Sequence, residues 1–259
     1  MSHHLVAFDS VSFCYPDGTE ALNGVSFRII HGESVGIVGA NGAGKSTILM
    51  HMNGYLLPSS GTVAIGDVQL TKKTRQEIRK KVGLVFQNPD DQLFMPTVFD
   101  DVAFGPLNLG MPEEKVRERV DEVLKTVGCL SLKDKPPHHL SAGQKSAVAI
   151  ASVIAMHPDI LVMDEPASNL DPKSRRQLIN LLKDFEHTKV IASHDLDLIL
   201  DVCKRCIVIR GGRIVADGLS HEILSDRGLL EENNLELPLS LQRVAYGNDK
   251  IMEGERWTT

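Results

Sequence analysis

Residues 39–47 have the sequence Gly39-Ala40-Asn41-Gly42-Ala43-Gly44-Lys45-Ser46-Thr47. The spacing Gly-x4-Gly-Lys-Ser is the P-loop pattern, in which glycines let the backbone pass close to phosphates and point successive N–H groups at them. The pattern stands where that mechanism requires it, after a predicted apolar strand at residues 34–38 and at the start of a helix predicted for residues 45–53. The sequence therefore predicts a nucleotide-binding site.

The residues of this loop suit ATP bound with Mg²⁺. The helix that begins near Lys45 adds about half a positive charge at its N-terminus. We expect Lys45 to neutralise the β- and γ-phosphates and the Ser46 hydroxyl to bind Mg²⁺. The expected ATP contacts of the loop are Gly39, Asn41, Gly42, Ala43, Gly44, Lys45, Ser46 and Thr47. A P-loop alone is also typical of kinases and GTPases, so the function depends on further motifs.

A second motif lies at residues 160–165, where an apolar strand ends in Asp164 and Glu165. This is the Walker B arrangement. Asp164 at the end of the strand can hold Mg²⁺ through water, because Mg²⁺ is a hard ion that keeps several of its waters. Glu165 points the other way and can accept a proton from an attacking water. The pair predicts a hydrolytic site.

Apolar periodicity predicts alternating strands and helices around these motifs. The first part contains strands at 5–13, 22–30, 34–38, 61–65 and 82–86 and helices at 45–53 and 74–81, with the first two strands forming a hairpin. Three helices follow without a strand, at 98–109, 113–127 and 142–156. The alternation then returns with strands at 160–163 and 190–192, helices at 172–185 and 195–202, and a hairpin of 205–209 with 213–216.

This order predicts an α/β protein with a largely parallel, covered sheet. We expect a P-loop NTPase fold with a RecA-like core, an N-terminal antiparallel β subdomain and an inserted α-helical subdomain. The predicted ATPase domain spans residues 1–225, with the helical subdomain at about 90–157, and residues 226–259 form a C-terminal tail of weak periodicity. No internal repeat is present, so one nucleotide-site module is expected.

Composition narrows the partners. The 259 residues are 42% hydrophobic and 24% charged, with a net charge of −6 and no basic stripe, which disfavours nucleic acid. The longest apolar stretch, residues 147–156, is too short for a bilayer, which needs about 20 such residues, and the N-terminus has no apolar signal region. A membrane role is therefore expected to come through partners.

Two smaller clusters favour structural roles. Cys203 and Cys206 have metal-ligand spacing, but no second pair completes a zinc site, so we expect apolar side chains at a helix-to-strand junction. His138 and His139 are expected to shape their loop rather than to bind cobalt.

The stretch Leu140-Ser141-Ala142-Gly143-Gln144 resembles the Leu-Ser-Gly-Gly-Gln signature of the ABC transporter ATPase family, at the same place before Walker B. The resemblance covers about residues 5–218 and argues against an ordinary kinase or GTPase. Other matching positions are Tyr15 with the aromatic that stacks on adenine, Gln87 with the Q-loop glutamine, Ser168-Asn169-Leu170-Asp171 with the D-loop, and His194 with the switch histidine. A lone histidine after a strand is more often structural. The place of His194, directly after the strand that follows Walker B, favours the switch role instead.

The resemblance implies a complete reaction site shared by two subunits, with ATP and Mg²⁺ as cofactors. Two cassettes would dimerise head to tail, so that the signature of one completes the ATP site of the other. The implied catalytic residues are Glu165, His194 and Gln87, and the implied Mg²⁺ ligands are Ser46, Gln87 and Asp164. The residues implied to act in trans are Ser141, Ala142, Gly143 and Gln144, with Asp171 in the D-loop.

Two positions depart from the family pattern. Ala142 replaces the first glycine of the signature, and its methyl group would crowd the phosphate if this position needs a positive φ. Asn169 replaces the more usual alanine of the D-loop. Every chemically active side chain remains, so we expect fully active sites.

Residues 86–109 resemble the ATPases of energy-coupling-factor transporters, especially cobalt and nickel importers. The stretch 88–94 and the sequence Val102-Ala103-Phe104-Gly105-Pro106 carry this resemblance. It implies a peripheral protein on the cytoplasmic face of the cell membrane, with a transmembrane coupling subunit docked beside Gln87 and a substrate-binding membrane subunit. The ATPase does not touch the cargo, so a vitamin, an amino acid or another ion remains an alternative.

Several alternatives stay open. Asp90, Asp91, Asp100 and Asp101 either pair with basic residues of the coupling helix or form a solvated face and cap helices near Thr97. The tail at 235–241 packs either on a partner or on its own domain. The second ATPase subunit is either a copy of this chain or a paralogue. An ABC protein acting on nucleic acid or ribosomes is disfavoured, because the chain has neither a coiled-coil insert nor a second cassette.

Overall fold

The computed structural model describes residues 4–168, 170–185 and 187–246. Its strands are, in chain order, β1 (His4–Cys14), β2 (Glu20–Ile30), β3 (Ser34–Val38), β4 (Ser60–Ile65), β5 (Val68–Gln69), β6 (Val82–Val85), β7 (Ile160–Asp164), β8 (Thr188–Ala192), β9 (Arg205–Arg210) and β10 (Arg213–Leu219). The α-helices are α1 (Lys45–Met52), α2 (Arg75–Lys81), α3 (Val98–Asn108), α4 (Glu113–Thr126), α5 (Ala142–Ile154), α6 (Pro172–Asp184), α7 (Leu196–Val202), α8 (Ser220–Ile223), α9 (Arg227–Glu232) and α10 (Leu239–Tyr246). Short 3₁₀ turns lie at Pro89–Asp91, Leu130–Leu132 and Pro137–His139.

Two sheets form the framework. The smaller one is antiparallel, has the order β2-β1-β4-β5 and contains the hairpin predicted for the first two strands. The larger one has the order β10-β9-β3-β8-β7-β6, in which β9, β3, β8, β7 and β6 are parallel and β10 is an antiparallel edge strand. The predicted fold class, a parallel P-loop NTPase core with an antiparallel β subdomain and a helical insertion, is confirmed.

The larger sheet is apolar on both faces, because each face meets another layer. Along β7, Ile160 and Val162 pack towards the antiparallel sheet and α1, whereas Leu161 and Met163 pack into a second core that includes α3, α4 and α5. All four side chains are fully buried. This two-sided burial explains why the strand is a continuous apolar run rather than an alternating one.

The parallel order brings the carboxyl ends of β3, β7 and β8 to one edge of the sheet. The chain leaves β3 into the P-loop, β7 into Glu165 and β8 into His194. The P-loop therefore lies beside Glu165 and His194, which are more than 100 residues further along the chain. Ligands of open α/β sheets bind at this edge.

Sequence periodicity predicted no structure after residue 226, whereas the structure has α9 and α10 there. The backbone N–H groups of Leu239 and Ser240 donate to the two carboxylate oxygens of Asp197 on α7, at 2.9 and 3.1 Å. Leu235 and Leu237 pack against the helical core. Of the two alternatives for 235–241, the structure places this segment on its own domain, and residues 247–259 lie outside the described part.

Within the described ranges, no helix combines the length and the apolar character needed to cross a membrane.

Candidate functional site

The P-loop is held in a fixed path between the two sheets. A Cβ atom at Gly39 would collide with the carbonyl oxygen of Ile209 on β9. Gly44 has φ of +110°, and a Cβ there would lie 2.6 Å from the carbonyl oxygen of Ala21 on β2. Glycine is required at both positions, because the loop backbone touches the backbone of neighbouring strands.

Lys45 is the buried cation of the loop. Its residue is 7% exposed, and its Nζ donates to the carbonyl oxygens of Gly39 at 2.7 Å and Ala40 at 3.3 Å. The ammonium group therefore lies inside the curve of the P-loop. This position suits the neutralisation of phosphate oxygens, which are strong acceptors for a point charge.

Asp164 has the features of a cation ligand. It ends β7, and its Oδ1 is buried without a hydrogen-bond partner among the described residues. Burial raises the pKa of Asp164, as does the charge of Glu165, whereas the Ser46 hydroxyl and the Lys45 ammonium act in the opposite direction. An unpaired buried carboxylate oxygen next to a hydroxyl fits a hard divalent cation such as Mg²⁺. The Mg²⁺ donor set expected from Ser46 and Asp164 is thus chemically consistent.

Glu165 is held in one orientation by the end of β8. Its carboxylate accepts from Ser193 Oγ at 2.8 Å and from the backbone N–H of His194 at 3.0 and 3.2 Å. The His194 ring contacts it as well, with Nδ1 2.9 Å from Oε2. Glu165 also has φ of +47°, an uncommon value for a residue with a side chain. Such a conformation costs about 1 kcal/mol or more and persists because the surrounding hydrogen bonds hold it.

A single cavity of about 380 Å³ brings most of the predicted site residues together. Its wall contains the P-loop from Asn41 to Thr47 together with Tyr15, Gln87, Asp164, Glu165 and His194. The volume is within the usual range for ligand sites. Gln87 follows β6 and is exposed at the rim, and the Tyr15 hydroxyl lies 3.1 Å from Thr47 Oγ1.

Ser141, Ala142, Gly143 and Gln144 do not line this cavity. They begin α5, where Ser141 is the N-cap: its Oγ accepts from Gln144 N, and Gln144 Oε1 accepts from Ser141 N at 3.0 Å. This reciprocal pair is a capping box. Ser141, Ala142 and Gln144 are exposed to solvent, and all four predicted signature residues are separate from the P-loop cavity of the same chain.

Ala142 does not have the positive φ at which its methyl group would crowd a phosphate. It is the first residue of α5 and has no positive φ, so its methyl group causes no backbone strain. Gly143, in contrast, is tightly enclosed. A Cβ there would lie 2.5 Å from the Cβ of Ser174 on α6 and would collide with its hydroxyl.

Asp171 lies beside this contact. Its carboxylate accepts from the backbone N–H groups of Lys173 and Ser174 and from the Ser174 hydroxyl at 2.6 Å. These hydrogen bonds, that of the Ser174 side chain above all, lower the pKa of Asp171. The D-loop aspartate thus caps α6 and meets the start of α5 through Ser174. Asn169 lies outside the described residues.

Residues of the two hairpins also form part of the site, and they were not predicted from the sequence. Thr19, Glu20 and Ala21 line the same cavity from the start of β2. The turn between β9 and β10 also supports the loop, since Gly212 N donates to the carbonyl oxygen of Ala43 at 3.0 Å. Ser193 was missed as well, and its place directly before the predicted His194 was the available signal.

The acidic docking hypothesis is wrong for Asp101, and Asp100 has the alternative role of helix capping. Asp101 is 5% exposed and accepts from the backbone N–H groups of Phe94 and Met95. Asp100 forms the N-terminal cap of α3 with Thr97, and Asp90 pairs with Lys145 on α5 at 2.6 Å. Backbone donors and a lysine of the same chain already engage these carboxylates, so the alternative of helix capping near Thr97 holds.

Apolar side chains dominate this surface instead. Phe94 is 65% exposed, and its ring packs edge to face against Phe104, which is 43% exposed, with centroids 5.1 Å apart. Leu107, one turn further along α3, is 47% exposed. We refer to Phe94, Phe104 and Leu107 as the apolar patch. Exposed apolar side chains that contact one another are typical of interaction surfaces.

A glutamine joins this region to the signature helix. Gln92 accepts from Phe86 N at 3.1 Å and donates to Ala149 O at 2.7 Å and to Ser152 Oγ at 3.0 Å. Lys145, Ala149 and Ser152 lie on one face of α5, because their spacing is i, i+4 and i+7. The segment after Gln87 is therefore bonded to α5 at two successive turns.

The two smaller clusters behave as structural groups. Cys203 ends α7 and Cys206 lies in β9, so they occupy the predicted helix-to-strand junction, and burial raises the pKa of Cys206 to about 12 and that of Cys203 still further. Both therefore persist as neutral thiols. The rings of His138 and His139 pack against each other in the turn before Leu140.

Comparison with known proteins identifies similar chains. A family model described as ABC transporter matches residues 22–168. The energy-coupling factor transporter ATP-binding protein EcfA of Methanocaldococcus jannaschii is 47% identical over 248 residues, which cover 94% of this chain and 88% of that protein.

Two solved structures are also similar. The cbiO1 protein of Clostridium perfringens, part of the ABC transporter complex cbiONQ, has a TM-score of 0.80 and 38% identity, covering 94% of this chain and 99% of its own. A dimeric ATP-binding cassette in a post-hydrolysis state, bound to ADP and Pi, has a TM-score of 0.75 and 30% identity, covering 83% and 98%.

The contact of Gly143 with Ser174 predicts a position that tolerates no side chain. We expect Gly143→Ala to push the start of α5 away from α6, at a cost of about 1–3 kcal/mol in the free energy of unfolding, and to lower ATPase activity. Denaturant unfolding and steady-state phosphate release measure the two effects. Gly228→Ala, at a glycine of α9 where a Cβ would lie 3.5 Å from the nearest heavy atom, is the matched control and should lower neither. The double variant Gly143→Ala/Ser174→Gly should recover activity; a double variant as inactive as the single one would contradict the steric explanation.

Proposed function

This chain belongs to the ABC transporter family as the ATP-hydrolysing, Mg²⁺-dependent subunit of an energy-coupling-factor type transporter, and from that premise we propose roles for its residues, its partners and its cargo. The observation that carries the proposal is the convergence of Lys45, Asp164, Glu165 and His194 on one cavity. We further assign residues 1–225 to the ATPase domain, with residues 90–157 as the inserted helical part and residues 226–259 as the tail.

Nucleotide binding is assigned to the loop and to Tyr15. Lys45 would exchange its bonds to the carbonyl oxygens of Gly39 and Ala40 for bonds to phosphate oxygens, which are stronger acceptors because they are charged. Gly39, Asn41, Gly42, Ala43, Gly44 and Thr47 supply the remaining loop contacts, and Tyr15 stacks on adenine. Ser46, Asp164 and Gln87 would hold Mg²⁺, which when bound neutralises charge on the phosphate oxygens.

Glu165 is proposed as the general base. Its carboxylate is buried and fixed by three donors, Ser193 Oγ, His194 N and the His194 ring, so it is preoriented for a water molecule in the cavity. It would accept the proton of that water as oxygen attacks the γ-phosphate. His194, whose side chain is largely exposed, would contact the γ-phosphate and respond to its loss, and Gln87 would complete the catalytic set from the rim.

The position of the signature residues supports a second ATPase subunit. Ser141, Ala142, Gly143 and Gln144 lie outside the P-loop cavity of their own chain, and they stand at the N-terminus of α5, which favours a bound anion. We propose that a second copy of this chain supplies them in trans in a head-to-tail dimer, with Asp171 near the shared interface. Two equal sites then follow from symmetry.

Replacement of Glu165 tests this assignment. We expect Glu165→Gln to lower ATP hydrolysis by about 10²-fold or more, because the amide cannot accept the proton, and to accumulate an ATP-bound dimer. Phosphate release measures the first effect and light scattering with Mg²⁺-ATP measures the second. Glu114→Gln, at an exposed position in the first turn of α4, is the matched control. A rate unchanged from wild type would rule out Glu165 as the base.

The apolar patch is proposed to receive the coupling helix of a transmembrane subunit. It lies on the segment that follows Gln87, and Gln92 and Asp90 bond that segment to the signature helix. A helix pressing on Phe94 and Phe104 would therefore move Gln87 and α5 together. The protein would work as a peripheral subunit on the cytoplasmic face of the cell membrane, beside a substrate-binding membrane subunit and without nucleic acid.

Truncation of the patch tests docking. We expect Phe94→Ala/Phe104→Ala to abolish co-purification with the transmembrane subunit while ATP binding by the isolated chain stays unchanged. Leu219→Ala removes an equally exposed apolar side chain at the opposite edge of the large sheet and should leave assembly intact. If Asp91→Lys alone abolished assembly while the double phenylalanine variant assembled normally, docking would be electrostatic.

We propose a transition-metal ion such as cobalt or nickel as the cargo, with a vitamin as the alternative. Support comes from the sequence of residues 86–109 and from the 38% identity to the cbiO1 protein. In this proposal residues 86–109 contact the membrane partner and not the cargo. The identity of the cargo is therefore tested by measuring its uptake.

Uptake measurements distinguish the two kinds of cargo. In a strain that lacks this chain, restoring the wild-type protein should restore uptake of radioactive cobalt or nickel, whereas Lys45→Ala should not, because it removes the phosphate-neutralising charge. Uptake of a labelled water-soluble vitamin that depends on the protein, with no change for either metal, would replace the metal by the alternative.

A further inference from the structure

Four residues, Phe13, Tyr15, Thr47 and His51, contact one another in a closed ring next to the P-loop cavity. The Phe13 ring on β1 packs edge to face against Tyr15 on one side and His51 on the other, each with centroids 4.9 Å apart. Thr47 closes the ring, because its hydroxyl lies 3.1 Å from the Tyr15 hydroxyl and its carbonyl oxygen lies 2.7 Å from His51 Nδ1. Tyr15 is thereby tied to two successive turns of the helix that begins at the P-loop.

His51 is the fixed end of this ring. It is fully buried on α1, and its Nδ1 must carry a proton because the carbonyl oxygen of Thr47 can only accept. Burial lowers the pKa of His51, whereas the carbonyls of Thr47 and Leu57 act in the opposite direction. Its Nε2 is buried without a hydrogen-bond partner among the described residues, so His51 is held through the bond of its Nδ1 to Thr47.

Tyr15 itself has few other restraints. It is partly exposed and stands at the start of the β1–β2 turn, where its backbone bonds to Thr19 and Gly18 and its carbonyl oxygen accepts from Cys14 Sγ. A half-exposed aromatic ring left free would have to be ordered when a base stacks on it, at a cost in side-chain entropy. The contacts with Phe13 and Thr47 fix the ring before any base arrives.

We propose that Phe13 and His51 are positioning residues for the nucleotide base, which hold Tyr15 at a set height above α1. The inference rests on the proposed stacking of adenine on Tyr15. It predicts that loosening this ring of contacts weakens recognition of the base and leaves recognition of the phosphates intact. Lys45 is not part of the ring, and Thr47 joins it through its hydroxyl and its carbonyl oxygen rather than through its amide.

The test compares two ligands on the full chain by calorimetry: Mg²⁺-ATP, and Mg²⁺-tripolyphosphate, which has no base. Phe13→Leu keeps apolar volume but removes both ring contacts, and we expect it to weaken ATP binding about three- to tenfold while tripolyphosphate binding stays unchanged. Tyr15→Phe keeps the stacking ring and loses the bond to Thr47, so it should shift the ratio in the same direction by a smaller factor. Phe27→Leu, which disturbs a stacked pair with Phe8 elsewhere in the same sheet, is the control and should change neither ligand.

The outcomes separate this inference from the function on which it rests. Tyr15→Ala should weaken ATP alone by about tenfold or more. If it leaves the ratio of the two dissociation constants unchanged, Tyr15 does not stack on the base and both proposals fail. If Tyr15→Ala shifts the ratio but Phe13→Leu and Tyr15→Phe do not, or if Phe13→Leu weakens both ligands equally, the positioning role alone is overturned.

Discussion

The P-loop lies where the two sheets meet, and there its backbone touches the backbone of both. Gly39 leaves room for the carbonyl of Ile209, Gly44 leaves room for that of Ala21, and Gly212 donates to Ala43. These contacts fix the path of the loop without any ligand, since they do not depend on side chains. The position of the site relative to Tyr15, on the antiparallel sheet, and to Glu165, on the parallel one, depends on this single junction.

The buried charged groups around this junction differ in whether they have hydrogen-bond partners. Lys45 and Glu165 are almost fully buried, yet each is held by backbone or hydroxyl partners, so neither is an isolated ion in an apolar medium. Asp164 is the exception, because its pKa is raised and its Oδ1 has no hydrogen-bond partner in the part of the chain that the structure describes. A buried carboxylate oxygen without a partner can be satisfied by a bound cation, which is why we propose Asp164 as a ligand of Mg²⁺.

Local patterns revealed the chemistry but not the contacts between distant segments. Lys45, Asp164 and Glu165 could be predicted because each sits in a short motif with a fixed relation to a strand end. Thr19–Ala21 and Gly212 could not, because they reach the loop only after both hairpins fold. Asp101 looked like a solvent-exposed acid in a charged run, whereas it caps the backbone at Phe94 and is buried. The tail helices were missed because short helices owe their stability to tertiary partners such as Asp197.

The capping box at Ser141 has a consequence for how fast two subunits can come together. A serine hydroxyl has one proton and two lone pairs, and capping Gln144 N uses only a lone pair. In the proposed head-to-tail dimer, the proton would therefore remain available for a phosphate oxygen bound to the facing subunit while the cap stays intact. Closure of the proposed dimer would then require no local unfolding of α5, so the cap would add no folding step to repeated opening and closing.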